Sequence, residues 1–276
     1  MSQTTLKHGS KGEAVTELQA LPNQAGHPIS VDGWFGDATE AAVRAYQAAQ
    51  TPPLVTDGIA GAQTRATLRG QRSPQMLSQD AIAAAAELLG VEAAAVMAIN
   101  RVEAAGRGFL SDGRIKILFE RHIFYREVQK QHSAAVAAKW AREAPHICNK
   151  APGGYKGGAA EYPRFSRAFI IDADCAMKAC SWGAYQIMGF NHRQAGFKTV
   201  GEMVDAMKSG ENTQLLAFAA FIKADKALHT ALKNKDWPDF ARRYNGPDYR
   251  KNAYHTKLAD AYQHYAALYP ANTEAV

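Results

Sequence analysis

The stretch AINRVEAAGRGF, residues 98–109, decides how the rest of the chain is read. An apolar run delivers a carboxylate, Glu103, and then dissolves into alanine and glycine. Val96, Ile99 and Glu103 stand at i, i+3 and i+7, so they share one helical face. The pattern predicts a helix over 91–105, stopped at Gly106, with Glu103 on its apolar stripe and in its last turn. Both circumstances raise a carboxyl pKa: desolvation disfavours the anion, and so does the negative end of the helix dipole. A carboxyl kept protonated near neutral pH is suited to general-acid work. The alternative is a glutamate that closes the helix and points to solvent.

Downstream, GRGFLSDGRIKILFERH at 106–122 reads as a β-hairpin. Ser111-Asp112-Gly113 supplies the turn, and Ile115, Ile117 and Phe119 alternate on one face. Lys116, Leu118 and Glu120 take the other. Such a hairpin can carry a second carboxylate opposite Glu103, and Asp112 and Glu120 are the candidates. Asp112 suits the local hydrogen bonding of its turn. Glu120 is expected within a strand, where a charge without a partner is costly, so an ion pair with Arg121, Arg126 or another arginine is its structural alternative. Glu120 ranks first as the second carboxylate.

Further on, ACSWGAYQIMGFNH at 179–192 places Gln186 within an apolar run bracketed by Gly183 and Gly189. Tyr244-Asn245-Gly246 follows near the end. Core packing for Trp182 and Tyr185, and a plain turn for Asn245-Gly246, are the structural alternatives. The last helix, 250–268, carries an apolar face of Tyr254, Leu258, Ala261, Tyr265 and Leu268.

The N-terminal segment repeats itself. DGWFGDATEAAV at 32–43 aligns with DGIAGAQTRATL at 57–68, sharing Asp-Gly, a second glycine and a threonine. AVTELQ at 14–19 matches AVRAYQ at 42–47 as a partial third copy. A repeat this short is one supersecondary unit used again. Asp-Gly marks a turn. Asp37 with Glu40 reads as a capped helix start, and Ala42, Val43 and Tyr46 form one apolar face. The expectation is a small three-helix bundle over residues 1–69. RGQRSPQMLS at 69–78 is polar, so 70–78 is read as a linker. Ser78 then caps a helix that Gly90 stops, opening a second domain over 79–276.

Composition narrows the classes. The 276 residues are 47% hydrophobic and carry a formal charge of +6. A basic balance favours anionic partners. The chain has no Lys/Arg-dense run and no nucleic-acid motif, so nucleic acid is not expected. The first residues lack an apolar signal-peptide region, and no stretch approaches a membrane span. A soluble product made in the cytoplasm, without membrane insertion, is the expectation. Cys148, Cys175 and Cys180 read as reduced, buried thiols rather than a disulfide framework, with a bridge from Cys148 to either other cysteine as the alternative. His229 and Asp236 lack a third ligand, so neither metal nor cofactor is expected.

Two resemblances follow from these motifs. Residues 6–69, with GEAVTELQ, DGWFGDATEAAVRAYQ and DGIAGAQTRATL, resemble the three-helix peptidoglycan-binding domain. The resemblance implies that Asp32, Gly33, Trp34, Phe35 and Tyr46 line or shape a wall-binding groove; packing and turn roles are the alternative. Residues 79–268, with VEAAGRGF, DGRIKILFERHIF and WGAYQIMG, resemble the N-acetylmuramidase domain of phage endolysins. It implies a mostly α-helical chain, a small bundle joined to a larger lysozyme-like α+β domain with a short β-hairpin. It further implies cleavage of the β-1,4 bond between N-acetylmuramic acid and N-acetylglucosamine, with Glu103 as acid and Glu120 as second carboxylate. Ser181, Tyr185, Gln186, Tyr244 and Asn245 would contact the glycan. The protein would act as a monomer on periplasmic peptidoglycan after release from the host cytoplasm. The rivals are a lytic transglycosylase cutting the same bond, a wall amidase or peptidase, and a non-catalytic wall-binding protein.

Overall fold

The structure is a computed structural model. It describes residues 5–24, 29–73, 75–104 and 107–269. The predicted stop at Gly106 lies outside the described residues. Two compact units divide the chain between Ala84 and Ala85.

The first unit contains α1 (Glu13–Gln24), α2 (Asp37–Ala48) and α3 (Ala62–Leu68). Its core is Leu6, Val15, Leu18, Phe35, Val43 and Ala60. The repeat has a physical basis in two buried glutamines. Gln19 Nε2 donates to Asp32 Oδ1 at 2.8 Å and to Thr39 Oγ1 at 3.0 Å, and its Oε1 accepts from Gly33 N–H at 2.9 Å. Gln47 repeats this one module later, donating to Asp57 Oδ1 at 2.9 Å and Thr64 Oγ1 at 3.0 Å, and accepting from Gly58 N–H at 2.9 Å. Each of these two helices thus carries a glutamine that satisfies the next Asp-Gly turn, and a buried amide needs such partners. Gly33 and Gly58 sit at φ +72° and +71°, which the turn requires. The cap of α2 differs from expectation: Gly36 is the N-cap and Asp37 is the first helical residue. Asp37 instead meets His8 at 3.0 Å. The end of the segment read as a linker is packed, because Met76 and Leu77 are apolar and buried, and Ser78 bridges to Leu54.

Helix α4 (Gln79–Leu89) follows. Ser78 Oγ accepts from Ala81 N–H at 3.3 Å, and Gly90, at φ +61°, ends the helix. The second unit then runs through α5 (Ala93–Glu103), β1 (Ile117–Phe119), α6 (Arg121–Gln131), α7 (Ala134–Glu143), α8 (Tyr162–Ile171), α9 (Ala173–Lys178), β2 (Cys180–Trp182) and β3 (Ile187–Met188). It closes with α10 (Val200–Lys208), α11 (Glu211–Ala224), α12 (Lys226–Lys233), α13 (Trp237–Asn245) and α14 (Tyr254–Leu268). Helix α14 packs along α5, burying Leu258, Ala261 and Tyr265 as their spacing predicts.

The sheet is antiparallel, in the order β1-β2-β3. Ile115, Ile117 and Phe119 are buried as one face. The predicted hairpin over 106–122 is only a short turn, with Phe109 bridged to Ile115. Strand β1 pairs instead with β2, Ile117 opposite Trp182 and Phe119 opposite Cys180. The strand ends at Phe119, so Glu120 is not a strand residue but the N-cap position of α6. The three cysteines are free and buried. His229 Nε2 meets the Leu89 carbonyl at 2.6 Å. No single helix among the described residues is long and apolar enough to cross a membrane.

Candidate active site

Helix α5 is buried from Ala94 to Ile99 and presents Glu103 at its end. Asn245, the last residue of α13, donates from Nδ2 to Glu103 Oε2 at 2.9 Å. Among the described residues, the buried Glu103 Oε1 and Asn245 Oδ1 have no hydrogen-bond partner. Burial pushes the Glu103 carboxyl up to about 7, against the smaller opposing effect of Asn245. The group is therefore largely protonated at pH 6 and can give its proton to a bound acceptor.

Glu103 opens into a cavity of about 360 Å³. Tyr185, Gln186, Met188 and Asn191 line it together with Phe221, Asp225, Arg243 and Tyr244. Rings beside amide and charged groups suit a sugar, which has apolar faces and hydroxyl edges. Tyr185 is itself fixed: its ring stacks on Phe218 at 4.4 Å, and its hydroxyl donates to Asn100 Oδ1 at 2.7 Å. Tyr244 donates to the Tyr185 carbonyl at 2.8 Å. Burial drives both tyrosine hydroxyls well above their ordinary range, so they remain protonated donors. Gln186 takes φ +51° in the β2–β3 turn. Its Oε1 accepts from Ser181 Oγ at 2.7 Å and its Nε2 donates to the Gly183 carbonyl at 2.8 Å. Ser181 thus braces Gln186 and is not itself part of the lining.

Helix α11 holds these loops in place. Gln214 is fully buried, accepts from Ala184 N–H at 2.8 Å and donates to the Met207 carbonyl at 3.0 Å. Glu211 accepts from Gly108 N–H at 2.8 Å. A Cβ on Gly108 would fall 1.9 Å from Gln214 Oε1, and one on Gly183 would fall 2.7 Å from it. The glycines in GRGF and WGAY are therefore needed for close approach, and only the tertiary packing reveals that.

The two candidates for a second carboxylate stand elsewhere. Among the described residues, neither Glu120 nor Asp112 lines the cavity. Glu120 accepts from Tyr155 Oη at 2.7 Å and lies 3.2 Å from His122 Nδ1, rather than pairing with Arg121 or Arg126. Asp112 is tied to Arg114 at 2.6 Å, which holds its carboxyl below the usual range. The carboxylate that does share the cavity is Asp225, which the sequence did not single out; its Oδ1 accepts two backbone N–H groups at the start of α12. Asn100, three residues before Glu103 on the apolar helix, is a polar signal legible in the sequence that its spacing alone does not tie to Tyr185.

In the first unit, Phe35 is 0% exposed and packs in the core, whereas Trp34 is 53% exposed with Lys11 Nζ 5.0 Å from its ring. Tyr46 is buried. Asp32 is bound by Gln19 and by Trp34 N–H at 2.8 Å, which lowers its pKa.

Comparison with known proteins matches residues 92–266 to the N-acetylmuramidase family and residues 11–68 to a putative peptidoglycan binding domain. The crystal structure of Burkholderia AP3 phage endolysin is similar at a TM-score of 0.88 and 45% identity, over 96% of this chain and 99% of that one. A zinc D-Ala-D-Ala carboxypeptidase of Streptomyces albus G is 48% identical over 65 residues, 22% of this chain and 24% of that protein's length.

Proposed function

Because the chain belongs to the N-acetylmuramidase family, a group of glycoside hydrolases, we propose that the Glu103 cavity is where it cleaves the peptidoglycan glycan strand. The bond is the β-1,4 link between N-acetylmuramic acid and N-acetylglucosamine. One observation carries this reading: a carboxyl poised near pH 7, with one oxygen pinned by Asn245 and the other unpartnered, set in the wall of a sugar-sized cavity. Glu103 protonates the leaving glycosidic oxygen, and its resulting anion then takes a proton from the attacking water. Tyr185, Gln186, Tyr244 and Asn245 shape the sugar subsite. Ser181 acts through Gln186. Glu120 lies off the cavity, so its proposed part is to hold Tyr155 and the start of α6, not to meet the sugar.

The N-terminal unit would anchor the enzyme to the wall and raise its effective concentration there, with exposed Trp34 as the contact and Asp32, Gly33, Phe35 and Tyr46 as its support. In this reading the protein works as a monomer, is made in the host cytoplasm, and meets the wall after release. The similar phage endolysin supports that setting.

Product analysis on purified peptidoglycan tests the reading. Borohydride reduction and mass spectrometry should find reducible muramic acid ends from the wild type and almost none from Glu103→Gln. Anhydro-muramic ends would instead assign a transglycosylase, in which the sugar's own hydroxyl replaces water. Unchanged products from the variant would remove Glu103 from the chemistry.

A further inference from the structure

A second depression, of about 370 Å³, adjoins the first and is lined by Lys226, Thr230, Asn234, Asp236, Asp239 and Arg243, among others. Arg243 lines both. The two differ in chemistry. The Glu103 cavity has the rings of Tyr185, Phe221 and Tyr244, whereas no aromatic residue lines the second depression.

Its carboxylates are already engaged. Asp236 caps α13, its Oδ1 accepting from Asp239 N–H at 3.1 Å. Asp239 holds Arg242 and, at 2.6 Å, Arg243 Nε. Fixing Nε leaves the two terminal nitrogens of Arg243 as oriented donors. Among the described residues, those nitrogens, Lys226 Nζ and the Asn234 amide make no hydrogen bond, although the Arg243 guanidinium as a whole is paired with Asp239 and feels Asp225. The unpaired Lys226 ammonium, the Asn234 amide and the open guanidinium N–H groups of Arg243 together suit a carboxylate.

Peptidoglycan differs from a plain glycan in its peptide substituents, which carry free carboxylates. We propose that this depression is a subsite for that acidic peptide, reached across Arg243 from the muramic acid seated beside Glu103. The proposal rests on the reading of the Glu103 cavity as the site of cleavage. It makes the enzyme selective for peptide-bearing glycan, with the sugar read by rings and the peptide by cations.

The test uses the full-length protein on two substrates: glycan strands with their peptides, and the same strands stripped of peptides by an amidase. Wild type should show kcat/KM at least about tenfold higher on the peptide-bearing strands, the effect of a charge-assisted contact. Lys226 and Asn234 are exposed, so the double variant Lys226→Glu/Asn234→Ala should fold normally. It should bring the ratio close to one, mainly through KM. A wild type without preference, or a variant that loses equally on both substrates, would overturn the subsite. Glu103→Gln separates the two readings, since cleavage persisting in that variant overturns the cavity as the reaction site whatever the ratio does.

Discussion

Glu103 and Glu161 are two carboxylates enclosed by the same unit, and their surroundings drive them in opposite directions. Burial alone would raise both. Glu161 is 0% exposed, yet its pKa is lowered. Its Oε1 accepts N–H groups from Lys156 and Gly157, and its Oε2 takes Arg164 at 2.6 Å. Arg164 in turn donates to the carbonyls of Phe119, His146 and Gly153, so each charge of the pair is met on several sides. Among the described residues, Glu103 has one amide donor and no cation, and its carboxyl rises to about 7. The number of donors decides the protonation state, and through it whether a carboxylate braces the fold or keeps a proton to give away.

The largest effect expected from breaking this contrast is catalytic. Glu103→Gln should lower kcat on peptidoglycan by about 10⁴-fold, or about 5 kcal/mol of barrier. Glu161→Gln should leave the folded fraction active, since it lies outside the cavity.

Next comes stability. Arg164→Met strands Glu161 without its counter-ion and should cost about 3–4 kcal/mol in urea unfolding. Glu103→Gln should do the opposite at high pH. The folded Glu103 holds its proton to about 7 while the unfolded one releases it near the ordinary value of 4.5. Wild-type stability therefore falls as pH rises between those values and stays reduced above them. The variant should gain on the order of 2 kcal/mol over wild type at pH 8 and almost nothing at pH 4.

The smallest effect sharpens the comparison. Asn245→Leu removes the single donor that favours the Glu103 anion. The basic limb of the pH profile for kcat/KM should move up by roughly half a unit. A downward move would mean that the substitution admits water and that enclosure, not the amide, sets the proton affinity.

Much of this site was legible because it obeys local periodicity. The i, i+3, i+7 spacing placed Glu103 on the buried stripe of α5, and Tyr244-Asn245 appeared as a separate motif. Their meeting across 142 residues is a tertiary fact. Glu120 shows where local reading fails. Alternating residues predict a strand, but the ladder partner of β1 is β2, some sixty residues on, and the strand stops one residue short of Glu120. The acid that shares the cavity, Asp225, looks like an ordinary helix cap in sequence, and Arg243 like one more surface cation. The adjacent aromatics Trp34 and Phe35 could not be told apart by pattern, and the fold buries one and exposes the other.

By itself the sequence determined the family, the repeated module of the first unit and the helix that delivers Glu103. These depend on short-range spacing, turn chemistry and motifs read along the chain. Only the tertiary structure decided which carboxylates share a cavity, which are consumed by donors, and why Gly108 and Gly183 must lack a side chain against Gln214. Those outcomes depend on desolvation and on partners brought together from distant segments, and neither is encoded in the spacing of neighbouring residues.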